Sequence, residues 1–195
     1  SPAVAPTEVF PHDDGRTKVA IIAGGLGHER DVSLRSGRRV ARTLADHGFE
    51  VTVWDLDPHL MSRLREWEPA VVWPLVHGAD GESGALLDLL RLMGFAYVGA
   101  DGAQARLASN KPTSKALLRD AGIATPRWVT FSQSLFRQVG AKVVLDVVVD
   151  EVGLPLVVKP AEGGSALGVT VVREAGQLPE AMVNCFAYGD EAMVE

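Results

Sequence analysis

Apolar residues in this chain follow two spacings in turn. From Lys18 the stretch "KVAIIAGG" is a nearly unbroken apolar run, as expected of a strand buried on both faces. The following "SLRSGRRVARTLADHG" places Ser33, Ser36/Gly37, Val40/Ala41 and Leu44/Ala45 on one helical face, and Gly48 stands where such a helix ends. The rhythm then repeats as a strand "FEVTVWDLD", a helix "HLMSRLREWE", a strand "AVVWPLV", a helix "GALLDLLRLMG" and a short strand "FAYVG". Such alternation predicts right-handed βαβ units, a parallel sheet, and binding loops at the carboxyl ends of its strands.

After Ala108 the pattern changes. "KPTSKALLRDAG" predicts a helix with Pro112 just inside its first turn, where the missing N–H costs nothing, and "RWVTF" predicts a strand. "VVLDVVVDEVG" admits a strand from its β-branched residues and a helix from its length and acidic spacing, and the helix is preferred. The two apolar runs of "GLPLVVKPAEGGSALGVTVV" lie too close for a crossover helix, so they form an antiparallel hairpin. The expected division is a flexible leader over 1–16, an N-terminal α/β domain over 17–107 and a second, α+β domain over 108–195. No internal repeat is evident.

With 195 residues, 47% of them apolar, both domains can hold real cores. The net charge of −6, with both signs interspersed, gives no footprint for nucleic acid or an anionic membrane, and no run approaches the roughly 18 apolar residues of a membrane span. The lone Cys185 lies in the helix-patterned "LPEAMVNCFAYG", which excludes a disulfide framework, reads as a packed thiol and favours a reduced, cytoplasmic setting.

Four stretches could carry chemistry. In "KPAEGGSALG", Gly163 and Gly164 permit close backbone approach and positive φ, Ser165 and the loop N–H groups suit an anion, and Lys159 brings a compact positive charge from the strand end. The same letters also fit an ordinary glycine-rich hairpin with a surface lysine. The stretch "AGGLGHERDVSLRSG" is a strand-turn-helix corner in which Glu29 reads either as a first-turn acid favoured by the helix dipole or as a ligand for a substrate ammonium group. "PLVHGADGESG" is more polar and glycine-dense than a connector requires; His77 there reads as a core histidine or a site residue, and His77, Asp80 and Glu82 match no tight metal spacing. Lys111 opposes the dipole at a helix start, so it is either exposed or reaches an anion, and Glu195 reads on its own as a surface acid at a frayed end.

These stretches together resemble the D-alanine–D-alanine ligase family of the ATP-grasp superfamily. The likeness spans about 17–195 and rests on "AGGLGHERDVSLRSG", "HGADGESGALLDLLRLMGFAYVGA", "NKPTSKALLRDAGIATPRW", "LPLVVKPAEGGSALGVTVV" and "EAMVE", in that order. It implies a Rossmann-like pre-ATP-grasp domain followed by the first half of an ATP-grasp domain. It further implies that Lys111, Lys159, Gly163, Gly164, Ser165, Ala166 and Glu195 bind ATP, with Ser165 also contacting the first D-alanine. Glu29, Val32, Ser33, His77 and Glu82 would line that D-alanine's site, with Glu29 beside its ammonium group. Three departures fall beside these residues. The turn reads "GLGHERDVS" where the family usually has a serine before its acidic pair, Glu82-Ser83 stands for the usual Glu-Asp, and Gly-Gly-Ser-Ala for Glu-Gly-Ser-Ser.

The reaction so implied is ATP-dependent amide synthesis through an acyl phosphate, with magnesium, for peptidoglycan precursors, by a homodimer formed through the N-terminal domain. Family members continue beyond the matched region into a half that carries the magnesium ligands, a phosphate-binding arginine and the second D-alanine site. The 195 residues alone are therefore expected to hold no metal ligands and not to turn over, and "EAMVE" is expected to be an exposed sheet edge. The rival expectations are a ligase for another amino or hydroxy acid pair, and a non-catalytic binding module.

Overall fold

The computed structural model describes residues 8–10 and 15–195. The chain divides into two compact units, Ser1–Arg106 and Leu107–Glu195.

The first unit runs β1 (Glu8–Phe10), β2 (Lys18–Ile22), α1 (Arg30–Asp46), β3 (Glu50–Trp54), α2 (Leu60–Trp67), β4 (Val71–Pro74), α3 (Ala79–Glu82) and α4 (Ala85–Leu92), with α5 (Gly102–Ser109) crossing the division. The sheet order is β1-β3-β2-β4. The two pairings among β3, β2 and β4 are parallel, as the βαβ rhythm predicts, with Ile21 opposite both Val53 and Trp73. β1 adds antiparallel to β3, so part of the expected flexible leader is a paired edge strand. The rest of that leader, 1–7 and 11–14, lies outside the described residues. "FAYVG" falls short of the strand its composition suggests: only Tyr97 bridges, in parallel, to Val72.

The apolar run of β2 is explained by two covered faces. Ile21 joins Ala23, Ala41 and Val51 in a core under α1, while Ala20 and Ile22 join Trp54, Leu60, Leu64, Val72, Leu86 and Leu90 under α2 and α4. The contact face of α1 is built from small residues, with Ser33, Gly37 and Ala41 buried as their spacing predicts. Gly48 stops the helix at φ +87°.

The second unit contains α6 (Lys111–Asp120), β5 (Val129–Ser132), α7 (Gln133–Val139), α8 (Ala141–Val152), β6 (Leu156–Pro160), β7 (Thr170–Val172), α9 (Leu178–Phe186) and β8 (Glu191–Val194). The ambiguous valine-rich segment is the helix α8, and β6 and β7 form the expected hairpin, Val157 opposite Val171. The order β5-β8-β6-β7 corrects one expectation. β8 is an inner strand, antiparallel to β5 on one side and β6 on the other, and Ala192, Met193 and Val194 are fully buried. Three successive buried apolar residues mark a strand covered on both faces, and pairing on both sides makes it an inner one.

Helices α8 and α9 cover one face of this sheet, meeting Leu156, Val158, Val172, Ala192 and Val194. Cys185 on α9 is packed there, and burial pushes its thiol up to about 11. Strand alternation sends Val157, Lys159, Met193 and Glu195 to the opposite face, and that face carries the chemistry described below.

The small-residue seam of α1 generates a test. A Cβ on Gly37 would lie 2.7 Å from Cβ of Ala23. In an open helix Gly→Ala stabilises by about 1 kcal/mol, but forcing a methyl into a packed seam costs about 1–3 kcal/mol. Gly37→Ala is therefore expected to lower the stability read from urea unfolding, and a gain would mean that helix and sheet are not in contact there.

Candidate functional site

In the first unit the site grows from the turn between β2 and α1. Gly24 and Gly25 take φ of +116° and +86°, values that favour glycine. Gly25 donates its N–H to Asp55 Oδ1 at 2.8 Å, and Arg30 donates one NH to Gly25 O at 2.7 Å and another to Asp55 Oδ2 at 2.5 Å. Burial opposes the charge of Asp55, yet the Arg30 hydrogen bond and the N–H groups of Gly25 and Leu56 outweigh it and hold the carboxyl below its ordinary range. On the other side of the turn, Gly24 N–H donates to Ser33 Oγ at 2.8 Å and Ser33 donates to Leu75 O at 2.6 Å. The turn is thus tied to the segments that follow β3 and β4.

That tie fixes Glu29, which is only 6% exposed. Glu29 stands at the N-cap of α1, but its carboxylate makes no capping hydrogen bond. It points to the loop after β4, where a Cβ on Gly78 would lie 3.2 Å from Glu29 Oε2. The first-turn acid is therefore the less apt of its two readings. Next to Gly78, His77 places Nδ1 3.7 Å from Glu82 Oε1, and its buried Nε2 has no hydrogen-bond partner. A buried imidazole nitrogen without a partner marks a place where a polar ligand atom or water belongs. Ser33 is fully buried, and its hydroxyl accepts from Gly24 and donates to Leu75, so it holds the turn. Val32 lies on the surface of α1, 37% exposed.

In the second unit α6 starts beneath the glycine-rich loop. Asn110 caps it by accepting the Thr113 N–H at 3.0 Å, and Lys111 N–H donates to Ala161 O at 2.9 Å. The Lys111 ammonium donates to Pro160 O at 3.1 Å and Gly163 O at 2.7 Å, so it sits at the root of the loop. Positive φ in the loop is not confined to glycine. Gly163 and Gly168 take it, at +89° and +69°, but so do Ser165 and Ala166, at +51° and +58°. Each non-glycine residue held there costs on the order of 1–3 kcal/mol, and such strain concentrates at ligand clamps.

Lys159 and Glu195, neighbours across β6 and β8 on the face away from α8 and α9, form an ion pair. The other oxygen of Glu195 accepts from Lys115 at 2.5 Å. Burial works to raise the Glu195 carboxyl, but the hydrogen bonds and charges of the two lysines prevail and hold it below the ordinary range. Glu195 is thus no surface acid; its side chain is 15% exposed. Among the described residues, no three His, Cys, Asp or Glu side chains gather as a metal site.

Comparison with known proteins adds relatives. Residues 117–195 match the family model described as D-ala D-ala ligase C-terminus. Curated D-alanine–D-alanine ligases from Gloeobacter violaceus and Moorella thermoacetica are 38% and 34% identical over 178 residues, 91% of this chain. The chain is thus similar to D-alanine–D-alanine ligases along nine-tenths of its length. It spans 57% of the length of those two relatives. The crystal structure of the Bacillus anthracis ligase complexed with ATP matches 92% of this chain and 58% of its own, at 25% identity and a TM-score of 0.73.

The structure brings together Glu29 with the His77–Glu82 loop, and separately Lys111, Lys159, Glu195 and the loop with Gly163, Gly164, Ser165 and Ala166. Sequence reasoning missed Arg30, Asp55 and Lys115. For Lys115 a signal existed: it lies four residues after Lys111, hence on the same helical face. For Asp55 none did, since an acid after a strand is commonplace.

The depressed carboxyls of Asp55 and Glu195 give a pH dependence. A carboxyl held low in the fold contributes stability that is fully present above its unfolded value, about 4, and lost as pH falls through the folded value. Unfolding monitored by circular dichroism is expected to show stability falling below about pH 4, with a shallower fall in Asp55→Asn. An equal slope in that variant would mean that the Arg30–Asp55 pair contributes nothing.

Proposed function

We propose that the protein is an ATP-dependent ligase that joins two D-alanines through an acyl phosphate, in cytoplasmic synthesis of peptidoglycan precursors, as a homodimer through its N-terminal domain. The observation that carries this is the placement of Lys111 and Lys159 together at the root of one glycine-rich, backbone-strained loop, in a chain similar to these ligases along nine-tenths of its length.

The residues suit the chemistry. Attack by a carboxylate on the terminal phosphate of ATP needs positioning and charge neutralisation more than a protein nucleophile. Lys111 and Lys159 bring two positive charges to the root of the loop, and loop 161–168 brings backbone N–H groups and the Ser165 hydroxyl above them. Magnesium, supplied with ATP, would share the phosphate charge. Glu29, held at the mouth of the parallel sheet by the tied turn, is the counter-charge for the ammonium group of the first D-alanine, and His77 Nε2 is a polar neighbour for the same substrate.

The test begins with the intact mass of the purified protein and continues on the same sample with ATP, D-alanine and magnesium. The 195-residue chain is expected to bind ATP without releasing phosphate; a polypeptide of the relatives' full length is expected to release it only when D-alanine is present. Release from the longer polypeptide that ignores D-alanine, or that needs another amino or hydroxy acid, overturns the substrate assignment. In that polypeptide Glu29→Gln removes the counter-charge, and kcat/KM for D-alanine is expected to fall about 10- to 100-fold, as for other buried charge pairs. An unchanged rate would show that Glu29 does not meet the substrate.

A further inference from the structure

Lysine is seldom buried, and a buried lysine is held by a partner. Lys115 is 8% exposed and meets two. Its ammonium donates to Glu195 Oε2 at 2.5 Å, and it lies 5.1 Å from the centroid of the Trp128 ring, with the Arg119 guanidinium 5.2 Å from the same centroid. Lys159 holds the remaining oxygen, Oε1. One carboxylate therefore balances two ammonium groups, with an excess of one positive charge.

The two lysines differ in what else they can do. Lys115 lies in the second turn of α6, a helix anchored by its Asn110 cap and by the Lys111 N–H to Ala161. It has the less exposed side chain, 9% against 22% for Lys159. Lys159 ends a strand and leads into the glycine-rich loop, so a small rotation of its four-carbon stem moves its charge toward that loop. If Lys159 were the sole counter-ion of Glu195, that move would strand a buried carboxylate, a state that breaking any buried ion pair makes costly.

We propose that Lys115 is a positioning residue of the nucleotide site: it keeps Glu195 neutralised, so that Lys159 can exchange its carboxylate for the phosphates of a nucleoside triphosphate. This rests on the ATP-binding reading above. Lys115 itself touches no phosphate; it acts through Glu195. The feature it controls is therefore the advantage of a triphosphate over its nucleoside, because only the triphosphate calls Lys159 away.

The experiment measures the affinity of the purified full chain for ATP and for adenosine, in the wild type, Lys115→Met, Glu195→Gln and the double variant, with circular dichroism melts as a check of folding. Lys115→Met is expected to lower the ratio of ATP to adenosine affinity about tenfold, whereas in the E195Q background the same substitution leaves the ratio within about twofold. A purely structural role would weaken both ligands alike, and that result, or an unchanged ratio in K115M, overturns the proposal. A wild type that binds neither ligand overturns the ATP reading as well, and is told apart because it shows in the first titration. A second measurement needs no variant: with ¹³C-labelled lysine, ATP is expected to shift the Lys159 Cε resonance and leave that of Lys115, while adenosine leaves both. A Lys115 resonance that moves with Lys159 overturns the proposal whether or not K115M folds.

Discussion

The carboxylate of Glu195 between Lys115 and Lys159 is the constraint around which the second unit is organised. A charge so enclosed is tolerated only when its partners sit at hydrogen-bonding distance, so the positions of three separate elements become interdependent. Helix α6 must present Lys115, β6 must present Lys159, and the residue that follows β8 must come between them. Backbone bonds reinforce this: Glu195 and Val157 exchange both N–H···O bonds, at 3.0 and 2.7 Å, which fixes the register that puts Lys159 and Glu195 on one face. An error of one residue in that register would turn Lys159 into the apolar core under α8 and α9.

Division of labour between faces follows. The side of the sheet under α8 and α9 is mainly apolar, with Leu156, Val158, Val172 and Val194 packed against Met182 and Cys185 of α9, and does the work of cohesion. The opposite side is left for polar groups, and α6 lies against it with Lys111 and Lys115 one helical turn apart. Lys111 is tied to carbonyls at the loop root and Lys115 to a carboxylate, so two lysines of one helix serve different ends. The first can be drawn to an anion at the loop; the second is committed to the fold. The first unit solves its own problem differently. Its sheet is covered on both faces, so its chemistry is confined to the strand ends, where Asp55 and Ser33 hold the glycine turn that carries Glu29.

The sequence disclosed most where local spacing and tertiary packing agree. The small-residue face of α1, the β6–β7 hairpin and the Asn110–Pro112 start of α6 could all be read from the letters, because each is set by neighbours within a few residues. The place of β8 could not, since pairing with β5 and β6 joins residues distant in sequence; its run of buried residues was the only trace. The same holds for the site. Glu29, His77, Lys111, Lys159 and the loop lie in stretches distinctive enough to be noticed alone. Arg30, Asp55 and Lys115 act by supporting others, and an ion pair between residues 25 or 80 positions apart leaves no local mark. Ser33 stands between the two, a residue noticed for its place in a motif whose hydroxyl ties the turn to the segment after β4.

The backbone strain at Ser165 and Ala166 has a physical reading in these terms. Two successive non-glycine residues at positive φ store energy that a relaxed hairpin would not, so something must hold the loop in that form. Lys111, bonded to the carbonyls of Pro160 and Gly163, grips only the incoming side, and the turn closes on itself with Leu167 N–H to Gly164 O at 3.2 Å and Val169 N–H to Ala166 O at 3.3 Å. These last bonds are long and bind little. In the ATP-binding reading proposed above, a phosphate group drawing on Lys111 would compete for the ammonium that fastens the loop root. Lys111 therefore fastens the root of a strained loop, while Lys115, one helical turn on, fastens α6 to Glu195; one helix secures both features.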